Sequence, residues 1–163
     1  MVDVPEVVKD NLIINCGYKT IKSFLLTKDF KYDYIFRTNS SSYVDKKLLL
    51  NFVSDKPKTK YYSGLIGYHG NIAFASGSGF FISKDLVDYV IENSTKWNHN
   101  LIDDVALASL LSNYGVHPYL NERIDILDDY NIPNHYFHYR LKTGSRVNDI
   151  KRMYSIHNIK NKK

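Results

Sequence analysis

The sequence predicts an α/β protein in which helices flank a mixed β-sheet, and three observations lead to this fold class. Short runs of strand-forming residues alternate with helix-like segments, which is typical of a sheet with helices packed on it. With 163 residues the chain has the length of one domain. Its hydrophobic share of 44% and charged share of 24% are those of a folded globular protein.

The domain organisation follows from the lack of any internal repeat or low-complexity linker in the sequence. The four prolines are scattered along the chain rather than clustered. We therefore predict a single domain over residues 1–163, with a lysine-rich tail from about residue 155 that is expected to be frayed or disordered.

The first third of the chain is predicted to contain two helices and one strand. Apolar residues at three- and four-residue spacing indicate a helix over residues 7–26, broken near Gly17. Residues 34–36 form a short run of strand formers, and the polar loop 38–42 ends this strand. A second helix is predicted over residues 45–53.

The middle of the chain is predicted to contain three short strands. Residues 61–67 and 72–75 have strand character and flank a turn at residues 69–71. The glycine-containing segment 77–79 is expected to interrupt the sheet before a third strand at 80–82.

Three helices and two short strands complete the predicted fold. Ser83 is a suitable N-cap for the first of these helices, and Asp103 and Asp104 open the second. The elements are the helices Lys84–Glu92, 102–111 and 148–157 and the strands 116–120 and 136–139.

Charge and cysteine content narrow the classes of function. The formal net charge of +5 predicts attraction to an anionic partner, either a nucleotide diphosphate or a nucleic acid. The sequence has neither zinc-finger spacing nor an RNP-type run, so we predict no nucleic-acid partner.

Cys16 is the only cysteine, which excludes an internal disulfide and a cysteine-based metal cluster. Because its neighbours are apolar, we expect a buried thiol.

Segments for targeting or membrane insertion are not predicted. No run approaches the roughly 20 apolar residues of a membrane span. The N-terminal stretch lacks the basic start and apolar core of a signal peptide. We therefore expect a soluble cytoplasmic protein.

Four segments carry the residues best suited to chemistry. They are DYIFRTNSSSYV at residues 33–44, FASGSGFFISKD at 74–85, IDDVAL at 102–107 and HYFHYRLK at 135–142. In this order and spacing they resemble the GT-A glycosyltransferases related to fringe and the β-1,3-galactosyltransferases. In that family a strand ends in aspartates with the pattern T-D-D-D, an S-G-x-G segment follows, and an acidic (E/D)-D-V opens a helix. The resemblance spans about residues 4–154.

The resemblance implies a GT-A-like mixed sheet flanked by helices, in reduced or partial form. It also implies a transferase that moves a sugar from a nucleotide-sugar donor to a hydroxyl of a glycan or glycoprotein acceptor, with inversion. Family members carry a nucleotide-binding βαβ region ahead of these motifs, which this sequence does not show, so we expect a fragment or a reduced protein. The alternative is a non-catalytic carbohydrate- or nucleotide-binding module derived from such an enzyme.

Asn39, Ser40 and Ser41 stand where the resemblance puts metal-binding aspartates. A hard divalent cation prefers carboxylate oxygens, whereas these side chains supply neutral oxygens. No metal ligand is therefore assigned, and Mn²⁺ or Mg²⁺ stays an open alternative as cofactor. We expect Arg37, Thr38 and this triplet to contact the donor directly. The alternative is a polar turn whose side chains bond their own backbone.

Asp103 and Asp104 are the candidate catalytic residues. The plain alternative is structural, because the helix dipole favours acidic residues in the first turn of any helix. An inverting displacement, however, needs a general base within hydrogen-bond reach of the acceptor hydroxyl. The resemblance to (E/D)-D-V implies Asp104 as that base and Asp103 as a residue that orients the acceptor or the loop.

Two further groups complete the predicted site. The resemblance implies a late histidine at His138, which with Arg140 and Lys142 would stabilise the leaving diphosphate. An edge strand with ordinary surface basic residues is the alternative. For the acceptor we predict close backbone approach at a serine- and glycine-containing segment and stacking on a tryptophan, with a turn and core packing as the alternatives. These acceptor residues are Ser76, Gly77, Ser78, Gly79 and Trp97.

Overall fold

The structure is a computed structural model that describes residues 12–121, 123–127 and 132–161. Within these residues the chain is a mixed α/β protein, in which five helices flank two mixed sheets. This confirms the predicted α/β class. The first residues of the predicted helix 7–26 lie outside the described residues.

The helices and strands alternate along the chain. The helices are α1 (Leu12–Thr27), α2 (Lys46–Val53), α3 (Lys84–Glu92), α4 (Asp103–Ser112) and α5 (Arg146–Asn161). The strands are β1 (Tyr34–Thr38), β2 (Ser42–Val44), β3 (Tyr62–His69), β4 (Ile72–Ser83), β5 (Tyr119–Leu120), β6 (Ile124–Ile126) and β7 (His138–Leu141). None of the described helices combines the length and the apolar composition needed to cross a bilayer.

The chain forms two compact units. The first contains the described residues up to Phe36 together with Pro57–Asn121, and the second contains Arg37–Lys56 and the described residues after Asn121. The single domain predicted over residues 1–163 stays a prediction.

The first unit is built on a four-stranded sheet with the order β1-β4-β3-β5. Strands β3 and β4 pair antiparallel around the predicted turn, where Gly70 adopts a φ of 56°. Strand β5 pairs parallel with β3. The core is formed by residues of α1, α3 and α4 packed with the sheet, and its central members are Phe24, Tyr62, Phe80, Ile82, Leu86, Val90, Leu107 and Leu111.

Strand β4 runs continuously over Ile72–Ser83, so the predicted division into separate strands at 72–75 and 80–82 is wrong. The pairing of β4 with β3 is nevertheless irregular at this segment. Gly64 pairs with Phe80 and Ile66 with Ala75, so residues 76–79 of β4 lie opposite Leu65 alone. A Cβ added to Gly64 would lie 2.8 Å from the Gly79 carbonyl oxygen. The glycines therefore serve close backbone approach within the sheet and do not end the strand.

Helix α1 runs without a break through Gly17, contrary to the predicted break. The glycine is explained by packing, because a Cβ there would lie 2.7 Å from Trp97 Nε1 and 3.1 Å from His99 Nδ1. Trp97 is itself buried in the core of the first unit. Cys16, which we expected to be buried, is only partly so.

We expect Gly17→Ala to destabilise the protein, although alanine is the better helix former by about 1 kcal/mol. The new methyl group must displace the buried Trp97 ring, and overpacking of this kind costs about 1–3 kcal/mol. Urea unfolding measures the change, with the exposed Ser23→Ala on the same helix as a control expected within about 0.5 kcal/mol of the parent. A gain in stability from Gly17→Ala would contradict the packing explanation.

The second unit contains a three-stranded sheet with the order β2-β7-β6. Strand β7 pairs antiparallel with β2 and parallel with β6. Its core consists of the buried residues Ile126, Tyr139, Leu141 and Ile156. The predicted strand 116–120 is shortened to β5, because Val116 closes the end of α4 through a hydrogen bond from its N–H to the Leu111 carbonyl at 3.0 Å. The predicted strand 136–139 is shifted to β7.

Helix α5 is longer than the predicted helix 148–157 and continues to Asn161 through the segment expected to be frayed. Lys160, in its last turn, donates to Asp45 Oδ2 at 2.9 Å and to the Asn134 carbonyl at 2.8 Å. These contacts hold the end of the helix within the second unit.

Candidate functional site

Asp104 lies in the first turn of α4 and contacts the glycine-containing segment of β4. The Gly77 N–H donates to Asp104 Oδ2 at 2.8 Å, and the Val105 N–H donates to Oδ1 at 3.0 Å. A Cβ on Gly77 would lie 3.2 Å from the same Oδ2 atom. Glycine at position 77 therefore allows the carboxylate to approach the strand, and two of the four motif segments meet here.

The two carboxylates of the acidic pair have separate partners. Asp103 Oδ2 accepts a hydrogen bond from Thr20 Oγ1 of α1 at 3.0 Å, whereas Asp104 contacts β4. Asp104 is 9% exposed. Each carboxylate oxygen has two lone pairs, so both Asp104 oxygens keep acceptor capacity beside their main-chain donors.

The other predicted acceptor residues do not form one surface. The Ser76 and Ser78 hydroxyls are hydrogen-bonded to each other at 2.8 Å. Strand alternation puts them on the face of β4 opposite Gly77. Trp97 is 4% exposed and belongs to the core, so its ring has almost no surface on which a sugar could stack.

His138 brings together the other two motif segments, within the second unit. Its Nε2 atom lies 3.0 Å from Thr38 Oγ1 and 3.1 Å from Ser42 Oγ. The side chain of Asn39 closes the same turn, because its Oδ1 accepts from Ser42 Oγ at 2.7 Å and from the Ser41 N–H at 3.2 Å. The polar loop is thus a hydrogen-bonded turn around a buried histidine.

Ser40 and Ser41 are held by helix α5. Arg146 Nη1 donates to the Ser40 carbonyl and, at 2.9 Å, to Ser41 Oγ. Hydrogen bonds from the Ser41 and Thr143 hydroxyls hold the pKa of Asp149 below its ordinary value.

Within the described residues, no group of three or more His, Cys, Asp or Glu side chains is placed to hold a metal ion.

The His138 ring is electrically neutral at pH 7. The side chain is buried, with 2% of its surface exposed. Burial, together with the positive charges of Arg123 and Arg140, lowers its pKa from 6.5 to about 4, against a smaller opposing effect of Asp125. His138 therefore acts as a neutral hydrogen-bonding group toward Thr38 and Ser42. Its predicted contact with the donor stays a prediction.

The cations cluster beside His138, on β6 and β7. Asp125 accepts from Arg123 Nε at 2.8 Å and from Lys142 Nζ at 2.8 Å, and Arg140 Nη1 lies 3.9 Å from it. Burial acts to raise the pKa of Asp125, but the hydrogen bonds from Arg123 and Lys142 outweigh it and keep the pKa below its ordinary value.

Arg123 and Asp125 were not among the predicted site residues. The signal that could have revealed them is the alternation of polar and apolar residues in Arg123-Ile124-Asp125-Ile126, which is typical of a strand with one face in the core. Arg37 was among the predicted donor residues. It lies half-buried near the end of β1.

No protein-family model matches the chain, and no curated protein matches it in sequence.

Proposed function

We propose that the chain is a GT-A-like glycosyltransferase domain, similar in its motifs to fringe and the β-1,3-galactosyltransferases. The observation that carries the proposal is the pairwise contact of the four motif segments. Gly77 bonds Asp104 across 27 positions, and Thr38 lies beside His138 across 100 positions. A chance match of short motifs would not require these contacts.

In the proposed reaction a sugar passes from a nucleotide-sugar donor to a hydroxyl of a glycan acceptor. Asp104 takes the proton of the acceptor hydroxyl. The oxygen of that hydroxyl attacks the anomeric carbon of the donor sugar, and the nucleoside diphosphate departs. The Gly77 and Val105 amides orient the carboxylate. Asp103, fixed by Thr20, supports the start of α4.

The donor contacts are proposed to be metal-free. Thr38, Asn39, Ser40 and Ser41 carry no carboxylate, so the charge of the diphosphate must be compensated by cations of the protein. Arg140 and Lys142 on β7 are the predicted residues able to do so.

A second candidate function is a non-catalytic carbohydrate- or nucleotide-binding module. The observation that favours it is the burial of Asp104, whose two oxygens already accept main-chain N–H groups. Such a carboxylate can be explained as a clamp between α4 and β4. This candidate predicts that a donor binds without being turned over.

A donor screen tests the two candidates against each other. Nucleotide sugars with uridine, guanosine or cytidine bases are incubated with the protein, and nucleotide release is measured with EDTA and with added Mn²⁺. Release that EDTA does not diminish is the expected result, with a protein-free reaction as the control for spontaneous hydrolysis. Binding without release supports the module, and activity restored only by Mn²⁺ contradicts the metal-free site.

A further inference from the structure

We propose that Arg123, Arg140 and Lys142 form a metal-free binding site for a diphosphate group, with Asp125 as a built-in competitor for the same cations. The proposal rests on the proposed function for the identity of its ligand, because it names the part of the donor that this face of the second unit would hold. Its own basis is a set of contacts that the sequence motifs do not contain.

The sheet register places these residues on one face. Strands β6 and β7 pair Ile124 with Tyr139 and Asp125 with Arg140. Tyr139 and the other core residues of these strands lie on the face that packs against α5. Because side chains alternate along a strand, Asp125, Arg140 and Lys142 project from the opposite face.

Two of the guanidinium groups have hydrogen-bonding capacity left over. Arg123 Nη1 and Arg140 Nε are buried and have no hydrogen-bond partner within the part of the chain that the structure describes. The Arg123 side chain is only 5% exposed. Folded proteins leave few buried donors unsatisfied, and those that remain call for a ligand or another explanation. Carboxylate and phosphate oxygens are the acceptors whose geometry suits a guanidinium group.

The charge of the cluster suits a diphosphate better than an uncharged ligand. Among the described residues, three cations face one carboxylate, so these four side chains carry a net charge of two positive. The neutral His138 adds nothing to this charge. The diphosphate of a nucleotide sugar has one negative charge on each phosphate, which matches it. Lys142 and Arg140 are 41% and 26% exposed, so a ligand reaches the cluster past them.

Asp125 has a distinct part in this site. Its carboxylate occupies donors of Arg123 and Lys142 that a diphosphate would otherwise use. A ligand must therefore share these donors with Asp125, and the carboxylate weakens binding by competition and by repulsion of like charge. Removing its charge should tighten binding, whereas removing a cation should weaken it.

Titration calorimetry in EDTA tests the site without any assay of sugar transfer. The probes are inorganic pyrophosphate, UDP, GDP, inorganic phosphate and uridine, measured on the full chain. We expect the three diphosphates to bind, phosphate to bind more weakly and uridine not to bind. No binding of pyrophosphate or of either nucleoside diphosphate would overturn the proposal.

Four variants make the test specific. Arg140→Gln should weaken pyrophosphate binding about tenfold and Lys142→Gln about fivefold, since each loses one charged donor. Asp125→Asn should tighten it about threefold. Lys46→Gln removes an exposed charge elsewhere in the second unit and should stay within about twofold of the parent.

Equal losses in Arg140→Gln and Lys46→Gln would mean diffuse attraction to a basic protein and would overturn the site. A fifth variant, Arg140→Lys, keeps the positive charge but not the guanidinium fork. Circular dichroism checks that every variant is folded. Failure here is distinguishable from failure of the transferase proposal. Pyrophosphate binding without donor turnover supports the site and contradicts the transferase proposal. Donor turnover that persists in both Arg140→Gln and Lys142→Gln contradicts the site alone.

Discussion

Asp104→Asn is expected to abolish sugar transfer, with kcat lower by roughly 10²–10⁴-fold, the usual contribution of a general base. The amide cannot take the acceptor proton, although its shape is nearly that of the carboxylate. The side chain would still fill the space beside Gly77, where no Cβ stands in the way. The measurement is donor turnover per folded molecule at saturating acceptor.

The same substitution must also affect stability, which complicates a simple activity assay. The Asp104 carboxylate accepts N–H groups from both Gly77 and Val105, whereas an asparagine has one acceptor oxygen. One main-chain amide then loses its partner, at a cost of about 1–3 kcal/mol. Urea unfolding therefore accompanies the kinetic measurement, and activity is corrected for the folded fraction.

Asp85→Asn is the matched control for this experiment. Asp85 lies in the first turn of α3 in the same unit, and it accepts the Lys60 N–H at 2.8 Å and the Ser83 hydroxyl at 2.6 Å. Its substitution should lower stability to a similar degree and leave the turnover of the folded protein unchanged. If Asp104→Asn keeps the turnover of Asp85→Asn, then Asp104 is a structural clamp and not a base.

The second large effect is expected in the pH dependence of stability, through His138. The unfolded ring takes up a proton below pH 6.5, whereas burial keeps the folded ring neutral down to a pKa of about 4. Between these two values unfolding takes up a proton, so acid favours the unfolded chain. Stability present above pH 6.5 is lost as the pH falls to about 4, by about 3 kcal/mol in total.

Urea unfolding between pH 7.5 and pH 4 measures this loss. The window separates His138 from Asp45, Asp125 and Asp149, whose pKa values lie below the ordinary carboxyl value of 3.8. His138→Gln can still bond Thr38 and Ser42 and should remove most of the slope. The exposed His157→Gln on α5 is the control and should retain it. A parent protein with flat stability across this range would rule out a buried neutral His138.

The candidate site could be predicted in its parts but not in its assembly. The four segments and their order can be found in the sequence alone, and they single out Asp104 and His138. Their partners are main-chain and hydroxyl groups far along the chain, at Gly77 and at Thr38. A serine, threonine or glycine is too common for its spacing to indicate such a contact.

Errors in the predicted fold have the same physical origin. Gly17 and the glycines of β4 have the character of breaks when only neighbouring residues are considered. The structure instead uses them where another element comes close, at Trp97 for Gly17 and at Asp104 for Gly77. A close approach of this kind depends on packing between elements and leaves no local pattern.

The sequence by itself determined the α/β class, the bounds of α3 over Lys84–Glu92 and the turn at Gly70, because hydrophobic period and turn chemistry act over a few residues. Ser83 stands at the N-cap position of α3 as predicted, but its side chain makes no capping hydrogen bond. Only the tertiary structure decided that His138 is neutral and that Arg123 and Asp125 join the cationic face. Burial and charge environment are set by residues distant in sequence, so the same histidine or arginine acquires its chemistry only once the strands have paired.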